Sequence, residues 1–418
     1  MKHIHKRFAV DQVKLLLSSY LKRRVTREEV ENELGIGKTR FFAVLNRYRQ
    51  NPDNFSFDYH RRTPTRLTYE TECAIQDGLR FDKQLIENPA IPIITYNYSA
   101  LRDRLREKQG ITVSVKTIIN RAKALNCYQA KKPKKAHDRE VLTTAIGSLI
   151  QHDASHHLWS PYVTEKWALI TSLDDFSRKI LYADFVVSET TWVHVEAVET
   201  VVVEHGFPLR YYVDQLRVFR FIQGRDSIWR KHILQTDDVD PQWRQMMRIA
   251  GVDVIYALSP QAKGKIERPY RWLQDRIVRT CAIEHVTSIN QAREILKYEV
   301  KRYNEYQVHS TTKEIPAIRF ERAKRESNSL FRPFLIPKPY LSIKDIFCLR
   351  EKRMVNAYHK ISLYNKEILV PKVPLRDYVE IFIIPDKKRG IVELRFWWEN
   401  QLVHSLIYPI KDFSSVHF

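Results

Sequence analysis

Ser148-Leu149-Ile150-Gln151-His152-Asp153-Ala154-Ser155 (residues 148–155) reads as a short β-strand carrying an acid near its end. Working outward, Lys166–Leu173 and Lys179–Val187 predict a second and a third strand. Thr191–Glu204 predicts a helix, Leu209–Val213 a short strand, and Val252–Leu258 an apolar, buried strand. Helices then follow from about Lys263 to Cys281 and from Ile289 to about Tyr306. Three consecutive strands followed by alternating helix and strand make a mixed sheet of the α/β kind.

On the N-terminal side the chain is helical and basic. Apolar residues at Val10, Val13, Leu16, Leu17 and Leu21 mark one helical face. Thr26-Arg27-Glu28-Glu29 forms a capping box that opens a second helix ending near Leu34. Gly35-Ile36-Gly37 is a tight turn, and a third helix follows from Lys38 to about Tyr48. Helix, short glycine turn and basic helix is the helix-turn-helix pattern. A second unit repeats it: Ser99–Gln109 closed by Gly110, then Val115–Leu125 capped by Ser114. Lys38, Arg40 and Arg47 in the first unit, and Lys116, Asn120 and Arg121 in the second, are the side chains expected to meet DNA. Between the units lies Tyr59-His60-Arg61-Arg62-Thr63-Pro64-Thr65-Arg66, whose Arg61, Arg62 and Arg66 suit a DNA backbone or minor groove.

On the C-terminal side, a basic, proline-marked stretch from Arg319 to Pro339 precedes five short β-rich runs. These are Ile361–Tyr364, Glu367–Pro371, Tyr378–Ile384, Ile391–Trp398 and Leu402–Tyr408, and they predict a small all-β barrel. The expected domains are a helix-turn-helix unit over 1–55, a second helical unit with its basic linker over 56–127, and a basic linker over 128–145. An α/β core over 146–318, a linker over 319–339 and the β-barrel over 340–418 complete the chain.

The whole chain has 418 residues, 70 Lys/Arg against 49 Asp/Glu and a formal charge of +21, which points to a polyanionic partner. Residues 1–140 alone hold 29 Lys/Arg and 16 Asp/Glu, more than half of that excess in one third of the length. A hydrophobic fraction of 44% excludes a mainly disordered chain. Gly37-Lys38-Thr39 comes nearest to a phosphate-binding loop, but Asn32 stands where its first glycine would be needed. Four cysteines without a CxxC pair support neither a disulfide framework nor a cysteine-rich zinc site. No apolar run approaches a membrane span, so a soluble protein in the cytoplasm is expected.

Three carboxylates stand out. Asp153 lies in the first strand, Asp214 ends the strand Tyr211-Tyr212-Val213, and Glu267 opens the helix after Ser259-Pro260. An acid at the end of an apolar strand is costly unless it meets a cation or partner. Three such acids on separate elements can converge on a pair of Mg²⁺ ions, which prefer oxygen ligands.

The segment SPQAKGKIERPYRWLQDRIV, residues 259–278, resembles the helix bearing the third acid in DDE transposases of the retroviral-integrase superfamily. QHDASHHLW and SLDDFSRKILYADF are similar to the first two strands of that family, and YYVDQ to its second-acid strand. The resemblance implies an RNase H-like core in which Asp153, Asp214 and Glu267 are catalytic and hold two Mg²⁺ ions, with Mn²⁺ as a substitute. It also implies that Lys263, Lys265 and Arg268 hold the phosphates of a DNA end, while the flanking helical units bind terminal inverted repeats. Cleavage at the element end and strand transfer into target DNA by direct transesterification would follow, in a homo-oligomeric synapse. Two other activities are compatible with the same residues: a catalytically silent DNA-binding regulator, and a metal-dependent nuclease that does not join strands. The chain departs from the family pattern in the 52 residues between Asp214 and Glu267, more than is usual; the excess falls around Gln223–Gln242. Gln215 also stands where many relatives have Asn or Gly.

Asp174 and Asp175 are rival carboxylates, expected to cap a turn or pair with Arg178. His152, His156 and His157 flank Asp153 and are expected to pack or to contact phosphate rather than hold zinc. Trp159, Trp192 and Trp272 are expected in the core or an interface.

Overall fold

The computed structural model describes residues 4, 7–56, 67–130, 143–213, 242–256 and 264–413, without the side chains of 264–268. The chain divides into two compact units, residues 1–72 and 73–418.

The first unit contains α1 (Val10–Leu21), α2 (Arg27–Leu34) and α3 (Lys38–Gln50). Local chemistry sets these boundaries. Thr26 Oγ1 accepts from the Glu29 amide, while Glu29 Oε2 accepts from the Thr26 amide at 2.7 Å. Gly35 closes α2 in the left-handed conformation at φ +62°. Val13, Leu17, Val30, Leu34, Phe41 and Leu45 form its core.

In the second unit, α4 (Tyr69–Glu87) runs in from the first and is a helix the sequence reading passed over. It buries Ile75, Leu79 and Leu85, together with an Asp82 carboxylate that pairs with Arg104 at 2.9 Å. α5 (Tyr98–Gln109) starts at Asn97, whose side chain accepts from the Ala100 amide, and α6 (Val115–Ala124) starts at the Ser114 hydroxyl.

The five-stranded sheet is built from β1 (Ile150–His157), β2 (Trp167–Asp174), β3 (Ile180–Val186), β4 (Arg210–Val213) and β5 (Asp253–Tyr256). Its order is β3-β2-β1-β4-β5. β1, β2 and β3 are antiparallel neighbours, whereas β1, β4 and β5 run parallel. This mixed sheet fits the RNase H-like core expected from the sequence. β2 is buried throughout because helices cover both faces. Ala168 and Ile170 pack on Val193 and Ala197 of α7 (Thr191–His205). The alternate residues Trp167, Leu169 and Leu173 join Leu273, Ile277 and Leu296 of α9 (Gly264–Ile283) and α10 (Ile289–Glu305). The helix α8 (Gln242–Ile249) buries Trp243, Met246 and Met247 beside Tyr211, while the excess residues before Gln242 lie outside the described residues.

The expected linker over 319–339 is largely structured. α11 (Pro316–Arg325) occupies its start. Backbone hydrogen bonds then join Ile146 to Asn328 and Leu330, and Phe207 to Arg332. Beyond it, β6 (Leu349–Met354), β9 (Tyr378–Asp386), β10 (Ile391–Trp398) and β11 (Gln401–Pro409) form an antiparallel sheet in the order β11-β10-β9-β6. β7 (Lys360–Leu363) and β8 (Lys366–Leu369) form a separate hairpin. The small all-β barrel expected from the sequence is not confirmed: among the described residues the sheet is open, with β6 and β11 as its edges. Ile361, Leu363 and Ile368 of the hairpin pack on Val379, Ile381 and Val392, so side chains cover this face where a barrel would use a closed ladder.

Candidate active site

Asp153 is half-buried in β1, directly across the ladder from Thr171 of β2. β4 lies beside β1 with Gln151 opposite Tyr212, two residues before Asp153 and before Asp214 respectively. Asp214 itself is outside the described residues, as are Lys263, Arg61, Arg62 and Arg66. Glu267 lies in α9, six residues before Leu273 in the core, as do Lys265 and Arg268; the structure describes the backbone of these three residues.

What joins α9 to β1 is Tyr270, three residues after Glu267. Its hydroxyl accepts from Thr171 Oγ1 at 2.7 Å and donates to the Asp153 carbonyl at 2.6 Å. Both Thr171 and Tyr270 are buried. The sequence reading did not single out Tyr270; its i+3 spacing from Glu267 was the one available signal, since residues at that spacing share a helix face.

Farther along, α9 is clamped by α5 and its entry loop. Asn97 donates to Asp275, and Arg279 to the Thr95 carbonyl. Arg276 meets Asp103 at 2.7 Å, and Arg302 of α10 reaches the same carboxylate at 3.2 Å. Burial pushes the Asp103 carboxyl up, but hydrogen bonds from Arg102 and Arg276 outweigh it and hold the group below its ordinary value.

The rival acids are structural, as expected. Asp174 accepts from the amides of Gly147 and Ser177 and from the Ser177 hydroxyl. Its full burial nevertheless pushes its carboxyl up to about 6. Asp175 pairs with Arg178 at 2.8 Å and accepts from Gln151 and Thr143.

A hydrogen-bonded chain runs behind β1. His152, fully buried, meets Ser172 through Nδ1 at 2.9 Å and His194 through Nε2 at 2.8 Å. His194 continues to Glu189 at 2.9 Å, and the other Glu189 oxygen reaches the exposed His156 at 2.6 Å. His157 is half-buried, which together with nearby Lys166 depresses its pKa. Trp159 and Trp192 are buried, and Trp272 packs against the core. Lys38, Arg40, Arg47, Lys116 and Asn120 are exposed on α3 and α6, and Arg121 is half-buried.

Hard carboxylate oxygens suit Mg²⁺ or Mn²⁺, and Asp153 is half-buried in β1. Tyr270 ties β1, which carries Asp153, to the helix that carries Glu267. Among the described residues, no group of three or more His, Cys, Asp or Glu side chains is arranged to hold a metal.

No protein-family model matches the chain. Among curated proteins it is 27% identical over 316 residues to the transposase-named y4bF of Sinorhizobium fredii, covering 74% of this chain and 62% of that protein. It is 31% identical over 173 residues to the transposase for insertion sequence IS1202 of Streptococcus pneumoniae, covering 41% of this chain and 36% of that one. The chain resembles bacterial transposases in sequence. It spans less than two thirds of the length of either relative. Solved structures aligned with it include a simian T-cell lymphotropic virus intasome in complex with a PP2A regulatory subunit, at 11% identity and TM-score 0.33, covering 79% of this chain and 96% of that one. Another is the HTLV-2 integrase catalytic core domain in complex with magnesium, at 14% identity and TM-score 0.30, covering 43% and 98%. Superpositions this loose carry no argument; strand order and register carry the fold.

Proposed function

We propose that the chain is a DDE-type transposase, a polynucleotidyl transferase acting on the ends of a mobile element. The observation that carries this reading is the coupling of Asp153 to the Glu267 helix through Tyr270, in a chain whose curated relatives are transposases. Asp153, Asp214 and Glu267 would hold two Mg²⁺ ions. Bound there, the ions would supply activation of a water or 3′-hydroxyl and stabilisation of the leaving oxygen.

The chain's own side chains supply positioning. β1 and α9 set two of the acids on one rigid scaffold. Lys263, Lys265 and Arg268 neutralise phosphates of the DNA end. Exposed Lys38, Arg40 and Arg47 of the first helix-turn-helix unit, and Lys116, Asn120 and Arg121 of the second, bind the terminal inverted repeat. Arg61, Arg62 and Arg66 of the basic linker follow the backbone or minor groove between the units. The C-terminal β domain contacts DNA or another subunit, and two ends are joined in a homo-oligomeric synapse. Among the described residues no helix is long and apolar enough to cross a membrane.

Strand transfer on a labelled duplex carrying the element's own end, with and without Mg²⁺, tests the reading. Mg²⁺-dependent joined product that disappears in Asp153→Asn while end binding persists is the expected result. Binding without cleavage or joining would favour a DNA-binding regulator, and nicking without joining a nuclease.

A further inference from the structure

We infer that Tyr270 is a positioning residue that sets the separation of Asp153 from the helix carrying Glu267, and through it the affinity of the site for a divalent cation. This rests on the proposed function, because it assumes that those two acids share a metal site.

Three elements meet at one oxygen. The Tyr270 hydroxyl belongs to α9, takes a hydrogen bond from Thr171 of β2 and gives one to the Asp153 carbonyl of β1. Thr171 and Asp153 are themselves cross-strand partners, so the triangle is closed by the β1–β2 ladder. Both side chains of the Thr171–Tyr270 pair are buried, where hydrogen bonds are shielded from competing water. Beyond Tyr270, α9 packs on the sheet through Leu273 and Ile277 and is clamped to α5 through Arg276 and Asp103. The hydroxyl adds a tie to β1 at Asp153 itself, and its two bonds tolerate only a few tenths of an ångström. A carboxylate pair that shares a small cation needs such tolerance, and groups that orient ligands from behind typically change metal affinity by about 10–100-fold.

Tyr270→Phe removes the hydroxyl and keeps the ring in its core slot. Mn²⁺ titration of the full-length chain, followed by the paramagnetic signal of the free ion, measures affinity without turnover. The expected result is a roughly 10-fold weaker Mn²⁺ affinity, with the metal-free melting curve still cooperative and end binding unchanged in a shift assay. Strand transfer should then need more Mg²⁺ for half-maximal rate. Tyr303→Phe is the control: it removes another buried tyrosine hydroxyl of the same core and should leave Mn²⁺ affinity at the wild-type value. If Tyr270→Phe does not fold, Thr171→Val and Thr171→Ser separate the roles; the valine variant should weaken Mn²⁺ binding and the serine variant restore it. Wild-type affinity in both Tyr270→Phe and Thr171→Val would overturn this role alone. A wild-type chain with neither Mn²⁺ binding sensitive to Asp153→Asn nor strand transfer would overturn the proposed function, and this role with it.

Discussion

Arg276 of α9 donates to the Asp103 carboxylate of α5 across 2.7 Å, with both side chains buried. The helix that carries Glu267 is thereby fixed to the second helical unit as well as to the sheet. Arg302 of α10 completes the clamp by reaching both Asp103 and Glu107. Arg276→Ala leaves Asp103 buried with Arg102 and Arg302 as remaining partners, so the expected loss lies at the low end for a broken buried pair, about 3 kcal/mol. Urea unfolding of the variant measures it; a loss below about 1 kcal/mol would mean that the pair contributes little beyond its packing.

Gly206 lies against the backbone of the segment that leads to the C-terminal domain. A Cβ there would overlap the Arg332 carbonyl, and Gly206 has φ +94°, where side chains are strained. Gly206→Ala is expected to cost roughly 2–4 kcal/mol by combining strain with overlap. It should also expose the Arg332 segment to proteolysis before the rest of the chain, which timed digestion followed by mass spectrometry would show.

Elements whose ends are written in local chemistry were legible in the sequence. Thr26, Glu29 and Gly35 mark the limits of α2, Gly110 the end of α5 and Ser114 the start of α6, whereas Asn97, which caps α5, was not read as its start. β1 to β3 fell within two residues of their expected ends, because buried strands flanked by polar turns advertise themselves. β6 did not: Leu349-Arg350-Glu351-Lys352-Arg353-Met354 has four charges in a row, as an edge strand can, and becomes a strand by pairing with β9. α4 was passed over because Gly78 and a polar face interrupt its apolar stripe, which is completed by Leu101 of α5 packing close to Gly78. The contacts that assemble the site, Tyr270 to Asp153 and Arg276 to Asp103, join residues more than a hundred positions apart and leave no periodic trace.

Glu199 of α7 links stability to pH. Burial, reinforced by nearby Glu196 and opposed by Lys344, pushes its carboxyl up to about 7 from an ordinary 4.5. Between those values the folded chain holds a proton that the unfolded chain has released, so this group lowers stability as pH rises from about 4.5 to about 7. Allowing for its partial exposure, the effect is on the order of 1–2 kcal/mol. Glu199→Gln should match the wild type in urea melts at the acidic end of that window and exceed it by about 1 kcal/mol at the neutral end. Parallel curves across the window would reject the assignment.

The exposed cations of α3 and α6 give a salt signature. Each phosphate contact adds about 0.9 to the slope of log affinity against log salt. Lys116→Ala, or Arg47→Ala, should therefore lower that slope by about 1 and weaken binding to all sequences alike. Asn120→Ala should instead reduce discrimination between the element end and unrelated DNA with little change in slope. Shift assays at several salt concentrations separate the two outcomes, and an unchanged slope for both cation variants would place the DNA contact elsewhere.

Asp153 and Asp174 sit on adjacent strands, and their isosteric substitutions should separate chemistry from folding. Half-buried Asp153 receives the Tyr270 hydrogen bond on its backbone carbonyl, so Asp153→Asn leaves that tie intact. It should reduce strand joining by at least about 1,000-fold, some 4 kcal/mol of barrier, with little change in melting temperature. Asp174 uses one carboxylate oxygen to hold the Gly147 amide ahead of β1 and the other to hold the Ser177 amide at the turn between β2 and β3. Asp174→Asn replaces one acceptor with a donor facing an N–H group, which should destabilise the fold by about 1–3 kcal/mol. Any joining activity it retains at low temperature should keep the wild-type dependence on Mg²⁺. The opposite pattern, a stable but inactive Asp174→Asn beside an active Asp153→Asn, would move the metal-binding acid from β1 to β2.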